Sequence, residues 1–329
     1  MLLPALLLFV TGCGGDKGGR PPALAKEPPP LVETPTFDAD SAYAYVAAQV
    51  AFGPRVPNTA AHRACGDYLA DQMRRFGWEV QEQVFVVDAW DGTPLNGRNI
   101  ISTLNPDASK RILLMAHWDT RPYADQDDER QDEPIPGAND GGSGVAVLME
   151  VARVMGMDSV PPNLGVDIIF TDAEDYGQPE SDQEEQRDTW CLGAQHWARN
   201  PHRPGYGAYF GILLDMVGGE GARFYRDQIS MEWAPSVVKR VWDTGHRLGY
   251  SAYFINQTAG GLLDEHYYIN RIARIPMIDI IEHDPAQPQY FYRHWHTHND
   301  DMESIGREPM RAVGETLLQV LYQEAQPAA

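Results

Sequence analysis

Asp140 is the first residue whose setting calls for a chemical explanation. It lies in the glycine-rich stretch "GANDGGSG" (Gly137 to Gly144), directly before an apolar run with helical spacing. A helix cap would account for a lone aspartate at this place. The alternative is a metal ligand, and the other acidic and histidine positions of the chain decide between the two.

Acidic and imidazole side chains follow the predicted strands. His117 follows "ILLMA", Asp172 to Asp175 follow "VDIIFT", Asp215 follows "FGILL", and "HWHTHND" comes after the strand in "IPMIDIIEHD". Such strand ends meet at one edge of a sheet, where ligands bind. Carboxylates clustered there without a cation would repel one another, whereas zinc accepts mixed Asp, Glu and His ligands. We therefore expect a zinc site, although the pattern does not select among the three histidines of the last stretch.

The elements that position these residues alternate between helix and strand from about Phe37 onward. Near-continuous apolar strands bounded by amphipathic helices predict one α/β domain, with a central twisted, mostly parallel mixed sheet that helices cover on both faces. The strands "RNIISTL" and "RILLMAHWD" are separated by the turn-like "NPDASK" and are expected to form a hairpin.

The charge of the chain limits its partners. With 329 residues and a formal net charge of -21, the chain lacks the basic face that nucleic acid or anionic lipid would need. Two acidic runs, "ADQDDERQDE" and "EDYGQPESDQEEQRD", are expected to be solvated loops, with a calcium site as the alternative.

The N-terminal stretch "MLLPALLLFVTGC" is too short to span a bilayer. Its end resembles the lipobox of bacterial lipoprotein signals, although no Lys or Arg precedes Cys13. The resemblance implies a signal over residues 1–13 with a lipid on Cys13. The next stretch, 14–36, is rich in Gly and Pro and lacks apolar periodicity, so we expect a flexible tether there and a catalytic domain over 37–329. We expect an exported monomer, anchored on the periplasmic or outer side of a bacterial cell, that touches the membrane only through this lipid. Cys65 and Cys191 would form a disulfide or remain free thiols.

Several separated motifs together carry a resemblance to a known family. They resemble the zinc aminopeptidase-like hydrolases and, within these, the glutaminyl cyclases (glutaminyl-peptide cyclotransferases). The resemblance covers about Phe37 to Ala329, and "FGPRVPNT" matches the opening of these enzymes. The motifs are "AHWD", "GANDGGSG", "FTDAED", "LLDMVG" and "WHTHND".

The resemblance assigns roles to the strand-end residues. It implies that Asp140, Asp175 and His296 bind zinc and that Glu174 is the general acid/base. His117 and Asp215 match residues that hold a second zinc in the aminopeptidases, whereas the cyclases bind one. The resemblance thus implies one zinc for a cyclase and two for an aminopeptidase.

The stretch "GGLLDEHYYINR" distinguishes the two activities, because the cyclases carry an acid where Asp264 lies. The resemblance implies a hydrogen bond between Asp264 and Asp215 that steers the leaving amide; the alternative is that Asp264 caps the "HYYIN" helix. Trp295, before the metal histidine, is also typical of the cyclases. The aromatic side chains expected to wall the substrate pocket are Trp118, Trp190, Trp295, Phe291 and Tyr292.

These residues favour a zinc-dependent cyclotransferase that converts the N-terminal glutamine of peptides or proteins to pyroglutamate and releases ammonia. One alternative is a metallo-aminopeptidase with one or two zinc ions, in which Glu174 would activate water. The other is a non-catalytic lipoprotein that uses the cleft for binding.

Overall fold

The computed structural model describes residues 30–157, 163–179, 186–288 and 290–326. The predicted signal with Cys13, and the part of the predicted tether before Pro30, lie outside the described residues. Phe37, where the catalytic domain is predicted to begin, is buried and belongs to the core.

The described residues form eight strands and eight α-helices. The strands are β1 (Glu79–Asp88), β2 (Pro94–Leu104), β3 (Lys110–His117), β4 (Leu164–Thr171), β5 (Phe210–Asp215), β6 (Phe224–Arg226), β7 (Phe254–Thr258) and β8 (Met277–Ile281). The helices are α1 (Ala39–Val50), α2 (Ala60–Arg75), α3 (Gly142–Met157), α4 (Leu192–Arg199), α5 (Gln228–Trp233), α6 (Pro235–Arg247), α7 (Glu265–Tyr268) and α8 (Arg307–Glu324). A π-helical turn, Ile269–Ala273, extends α7.

The main sheet has six strands in the order β1-β2-β4-β3-β5-β8, and β6 pairs with β7 in a separate small sheet. The pairs β4–β3, β3–β5 and β5–β8 are parallel, whereas β1–β2 and β2–β4 are antiparallel. This arrangement confirms the mixed, mostly parallel sheet.

The predicted hairpin between the second and third strands is wrong. β4 lies between β2 and β3 and pairs with both, and the antiparallel neighbour that precedes β2 in the chain is β1. β1 was missed because its sequence, "EVQEQVFVVD", alternates polar and apolar residues at the edge of the sheet instead of forming an apolar run.

Helices cover both faces of the sheet, and alternate residues of each strand point to opposite faces. Ile112 and Leu114 of β3 pack into the larger core with residues of α1, α2, α3, α6 and α8. Leu113 and Met115 of the same strand pack on the opposite face with residues of α4 and α7. Because successive side chains of a strand point to opposite faces and both faces are buried, these strands are apolar throughout.

α3 begins at the edge of the sheet where the parallel strands end. A Cβ atom on Gly144 would lie 2.4 Å from the carbonyl oxygen of Leu214 in β5, so glycine permits the first turn to approach that strand. At its other end, Arg153 and Met157 border a cavity together with Glu33 and Thr36 of the extended N-terminal segment. The first residues of the described chain therefore pack at the end of α3 that is remote from Asp140.

Among the described helices, none combines the length and the apolar character that crossing a bilayer requires.

Candidate metal centre and active site

Three predicted site residues meet around His117 at the end of β3. The imidazole Nε2 of His117 lies 3.0 Å from Oδ1 of Asp140 and 3.2 Å from Oδ1 of Asp215, the last residue of β5. Burial alone would lower the pKa of His117, but Asp119, Asp140 and Asp215 raise it well above its usual range. Burial raises the pKa of Asp215 to about 7, with Asp140 and Asp264 adding to the rise against the hydrogen bond from His117.

Asp140 is held by the turn that precedes α3. The carboxylate of Asp300 accepts the backbone N–H of Asn139 at 2.8 Å and that of Asp140 at 3.1 Å. The amide oxygen of Asn139 in turn accepts from Gly218 N–H and the hydroxyl of Ser143. Asp140 is thus fixed by bonds to its backbone, which leaves its carboxylate directed at the histidines.

Glu174 and Asp175 lie in the loop after β4 and are oriented by one carboxylate. Asp119 accepts the backbone N–H of Glu174 through Oδ1 and that of Asp175 through Oδ2, each at 3.1 Å. Asp119 follows β3 by two residues, so it ties the ends of two neighbouring parallel strands together. The acid/base candidate and the adjacent ligand candidate therefore share one support.

His296 reaches the cluster from the long segment that precedes α8. Its Nε2 lies 3.1 Å from Oδ1 of Asp175 and 3.8 Å from Oδ2 of Asp140, and its Nδ1 lies 3.0 Å from Oδ1 of Asp125. Asp125 is also paired with the buried guanidinium of Arg121. A carboxylate on the remote nitrogen of a histidine fixes the ring and its tautomer, as at most protein metal sites.

Asp140, Asp175 and His296 fit a zinc ion. All three are buried, and one ligand atom from each lies within 4.8 Å of the others. The second carboxylate oxygen of Asp175 has no hydrogen-bond partner among the described residues, although it is buried. Burial and Asp140 raise the pKa of Asp175 to about 6, so the cluster is short of positive charge. Zinc binds carboxylate oxygens and imidazole nitrogens, and three such protein ligands leave a fourth position open, as at catalytic zinc sites.

A second donor group shares Asp140 with the first. It consists of His117, Asp140 and Asp215, again with one ligand atom from each within 4.8 Å of the others. Nε2 of His117 lies 3.0 Å from Asp140 and 3.2 Å from Asp215, much as Nε2 of His296 lies 3.1 Å from Asp175, so the distances do not separate the two groups.

Glu174 lies beside His117 of the second donor group and directly precedes Asp175 of the first. Its side chain is 13% exposed, and Oε2 lies 3.9 Å from Nδ1 of His117. Burial raises the pKa of Glu174 well above its usual range; His117 opposes the rise, and Asp175 and Asp264 add to it. A carboxyl with a raised pKa can both take and give a proton near neutral pH.

Asp264 approaches the same place from the start of α7. It caps this helix, because Oδ1 accepts the backbone N–H of Glu265, so the capping alternative is confirmed. The hydrogen bond between Asp264 and Asp215 that the resemblance implies stays a prediction. In this structure Oδ1 of Asp215 bonds Nε2 of His117. Asp264 adds to the rise in the pKa of Asp215, of which burial is the main cause.

Two tryptophans flank the imidazole of His296. The ring of Trp295 stacks on it at a centroid distance of 3.8 Å, and the ring of Trp190 lies parallel to it at 5.9 Å. Phe291 packs on Trp295, and Arg121 lies 4.4 Å from the Trp190 ring. These half-buried rings surround the site.

Trp118 does not line the cleft, and this part of the prediction is wrong. Its ring is fully buried, stacks on His62 at 4.3 Å and donates its indole N–H to the carbonyl of Arg98. The side chain follows His117 in the chain and points to the opposite face, where it packs in the larger core. Tyr292 is also almost fully buried, in a cluster with Met216 and Leu262.

The two cysteines are both free and buried, so the disulfide alternative is wrong. Cys65 belongs to α2, whereas Cys191 lies beside Glu174, with Sγ 3.2 Å from Oε1.

Of the three histidines left open, only His296 joins a donor group; His298 bonds Asp127 instead. The first acidic run is therefore not merely solvated, since it supplies Asp125 and Asp127 to these histidines. Residues 180–185 of the second run lie outside the described residues.

The supporting carboxylates were missed at the sequence level. Asp119, Asp125 and Asp300 each lie within a few residues of a candidate ligand or follow a strand closely. A search for a second acid two to eight residues after each strand-end histidine would have found Asp119 and Asp125.

The comparisons with known proteins agree with this geometry. Residues 99–321 match the model of peptidase family M28, and the chain belongs to that family. A Zn-dependent exopeptidase from Parabacteroides distasonis is 53% identical, with a TM-score of 0.86 over 88% of this chain and 99% of that one. A glutaminyl cyclase from Bacteroides thetaiotaomicron, solved with N-acetylhistamine, is 50% identical with the same TM-score and coverage. The glutaminyl-peptide cyclotransferase of Gloydius blomhoffii is 26% identical over 299 residues, which cover 82% of this chain and 77% of that protein.

Proposed function

We propose that the protein is a zinc-dependent glutaminyl-peptide cyclotransferase, which converts the N-terminal glutamine of a peptide or protein to pyroglutamate with release of ammonia. The observation that carries the proposal is the buried donor set of Asp140, Asp175 and His296 with Glu174 alongside. Similarity to solved bacterial glutaminyl cyclases over nearly the whole domain supports the same activity.

The zinc ion held by Asp140, Asp175 and His296 would polarise the γ-carbonyl of the substrate glutamine as a Lewis acid. Glu174 takes a proton from the substrate α-amine as its nitrogen bonds to the carbonyl carbon. Glu174 then gives this proton to the departing side-chain nitrogen, and ammonia leaves as the carbon–nitrogen bond breaks. The nucleophile belongs to the substrate, so positioning supplies much of the rate.

We propose one zinc ion per chain. Similarity to solved bacterial glutaminyl cyclases supports this number, because the resemblance described above implies one zinc for a cyclase. A metallo-aminopeptidase is the second candidate function. His117, Asp140 and Asp215 offer the ligand types that a second zinc ion would need, and a similar solved structure is named a Zn-dependent exopeptidase.

Incubation of the purified zinc-loaded protein with a Gln-initiated peptide tests the proposal. The expected result is release of ammonia and a product lighter by the mass of NH3, whereas release of a free N-terminal amino acid would establish the aminopeptidase. Glu174→Gln should lower the rate at least ~100-fold with zinc retained. Glu79→Gln, at an exposed position of β1, is the matched control and should leave the rate unchanged.

We also propose that the protein is exported and held to a bacterial membrane by a lipid on Cys13, as a monomer. The lipobox-like "VTGC" supports the anchor. Cys13→Ser should move the protein from the membrane fraction to the soluble fraction; equal membrane retention of both forms would refute the anchor.

A further inference from the structure

Cys191 contacts Glu174 through both its backbone and its side chain. Its N–H donates to the carbonyl oxygen of Glu174 at 3.0 Å, and its Sγ lies 3.2 Å from Oε1 of the same residue. Cys191 directly precedes α4, has a left-handed backbone (φ 57°) and is fully buried. The position of the thiol is therefore fixed by the backbone conformation of Cys191 and by the packing around its side chain.

We propose that the Cys191 thiol donates a hydrogen bond to Oε1 of Glu174 and is a positioning residue for this general acid/base. The inference rests on the proposed cyclotransferase function. With Oε1 bonded to the thiol, Oε2 is the oxygen left to exchange a proton with the substrate.

The surroundings of the thiol make it a donor. Burial raises the pKa of Cys191 well above its usual range, and Glu174 and Asp264 add to the rise, so the thiol keeps its proton. Sγ also lies 3.8 Å from Oδ1 of Asp264, a residue that is 8% exposed. Oδ1 of Asp264 already accepts the backbone N–H of Glu265, so the nearer Oε1 of Glu174 is the acceptor for the thiol proton.

The thiol lies beside two carboxyl groups and adds no charge to them. Glu174, Cys191 and Asp264 each offer an atom within 4.8 Å of the others. A charged residue at position 191 would repel or neutralise Glu174, and an apolar one would leave Oε1 buried without a donor. A neutral donor of this size satisfies Oε1 and preserves the negative charge that proton uptake requires.

Cys191→Ala and Cys191→Ser, in the full zinc-loaded chain, test the role. Neither replacement removes the backbone N–H, and both side chains are small, so the variants differ mainly in the donor. We expect Cys191→Ala to lower kcat for ammonia release about 3- to 10-fold with KM within about 2-fold of wild type, the effect of one hydrogen bond from a weak donor. Cys191→Ser should recover at least about half of the wild-type kcat, because its hydroxyl replaces the donor.

Cys65→Ala is the matched control, since Cys65 is equally buried but belongs to α2. It should leave kcat unchanged. In a Glu174→Gln background, Cys191→Ala should cause no further loss, because the group that it positions is already gone.

Three results would overturn the positioning role: an unchanged kcat in Cys191→Ala, an equal loss in Cys191→Ser, or a loss accompanied by release of zinc or earlier unfolding. Absence of ammonia release by the wild type would instead refute the proposed function and with it this role. The two failures are distinguishable because the first leaves the wild type active.

Discussion

Asp125 and Asp127 are two residues apart, and each bonds the Nδ1 atom of a histidine at about the same distance. Asp125 lies 3.0 Å from Nδ1 of His296, and Asp127 lies 2.8 Å from Nδ1 of His298. Only His296 has its other nitrogen directed at Asp140 and Asp175. The pair thus offers a natural comparison between a carboxylate that supports a metal ligand and one that does not.

Asp125→Asn should weaken zinc binding about 10- to 100-fold, because the amide cannot hold the His296 ring as the carboxylate does. Zinc retained after dialysis against graded chelator measures the change. Asp127→Asn is the control and should bind zinc as the wild type does. Equal zinc retention by both variants would show that Asp125 does not support the site.

His202, which follows α4, should make stability depend on pH. Its Nδ1 accepts the indole N–H of Trp197, and burial lowers its pKa to about 4 from an ordinary value of 6.5. Between these values the unfolded chain binds more protons than the folded one, so stability falls as pH falls from 6.5 to about 4. His202→Phe keeps the stacking but does not titrate. Urea unfolding at pH 7 and pH 4.5 should therefore show a smaller acid loss in the variant, and an equal loss would contradict the assignment.

The candidate ligands could be predicted from the sequence, whereas their supports could not. Asp140 and His296 lie in short stretches with a recognisable order of residue types. Asp300 supports Asp140 from a distance of 160 positions along the chain, and its role depends on a backbone N–H that no sequence pattern marks. The direction of the Asp264 side chain could not be predicted either, because at a helix cap it depends on packing.

At the scale of elements, α3 is the part of the fold that places Asp140. Its first turn lies against β5, and the contact is tight because Gly144 has no side chain. The Leu214 carbonyl that a Cβ would meet is backbone, which cannot rotate away as the end of a side chain could. The helix start and the ligand turn are therefore constrained together.

Gly144→Ala should lower the free energy of unfolding by about 1 to 3 kcal/mol, the usual cost of overpacking, and should weaken zinc binding as the helix start shifts. Denaturant unfolding and zinc retention measure the two effects. Gly207→Ala is the matched control, since nothing lies within 4 Å of a Cβ there. If both variants unfold at the same denaturant concentration, the close approach does not constrain the helix.

The apolar strands and the larger helices followed from periodicity, since both faces of the sheet are buried. β1 did not, because an edge strand packs on one side only and its exposed Val84 and Val86 alternate with less exposed residues. The order of the strands could not be predicted from local sequence patterns either. β4 lies between β2 and β3 and pairs with both, although it comes after both in the chain. Such pairings are fixed by tertiary packing.

At the scale of the whole molecule, the metal should contribute to folding. Asp140 and Asp175 are buried together, and the unfolded chain cannot bring them to one ion. Removal of zinc should therefore lower the Tm, and added zinc should raise it in proportion to the logarithm of its concentration. Thermal unfolding with chelator and with graded zinc measures this dependence. A Tm that does not change with zinc would contradict the proposed donor set.

The N-terminal segment enters the domain at the far end of α3, where Glu33 and Thr36 lie beside Arg153 and Met157. Sixteen residues of helix separate this point from the catalytic edge of the sheet, a length of about 24 Å. A lipid on Cys13, as proposed, would therefore connect to the domain at the end of α3 that is remote from the candidate metal centre.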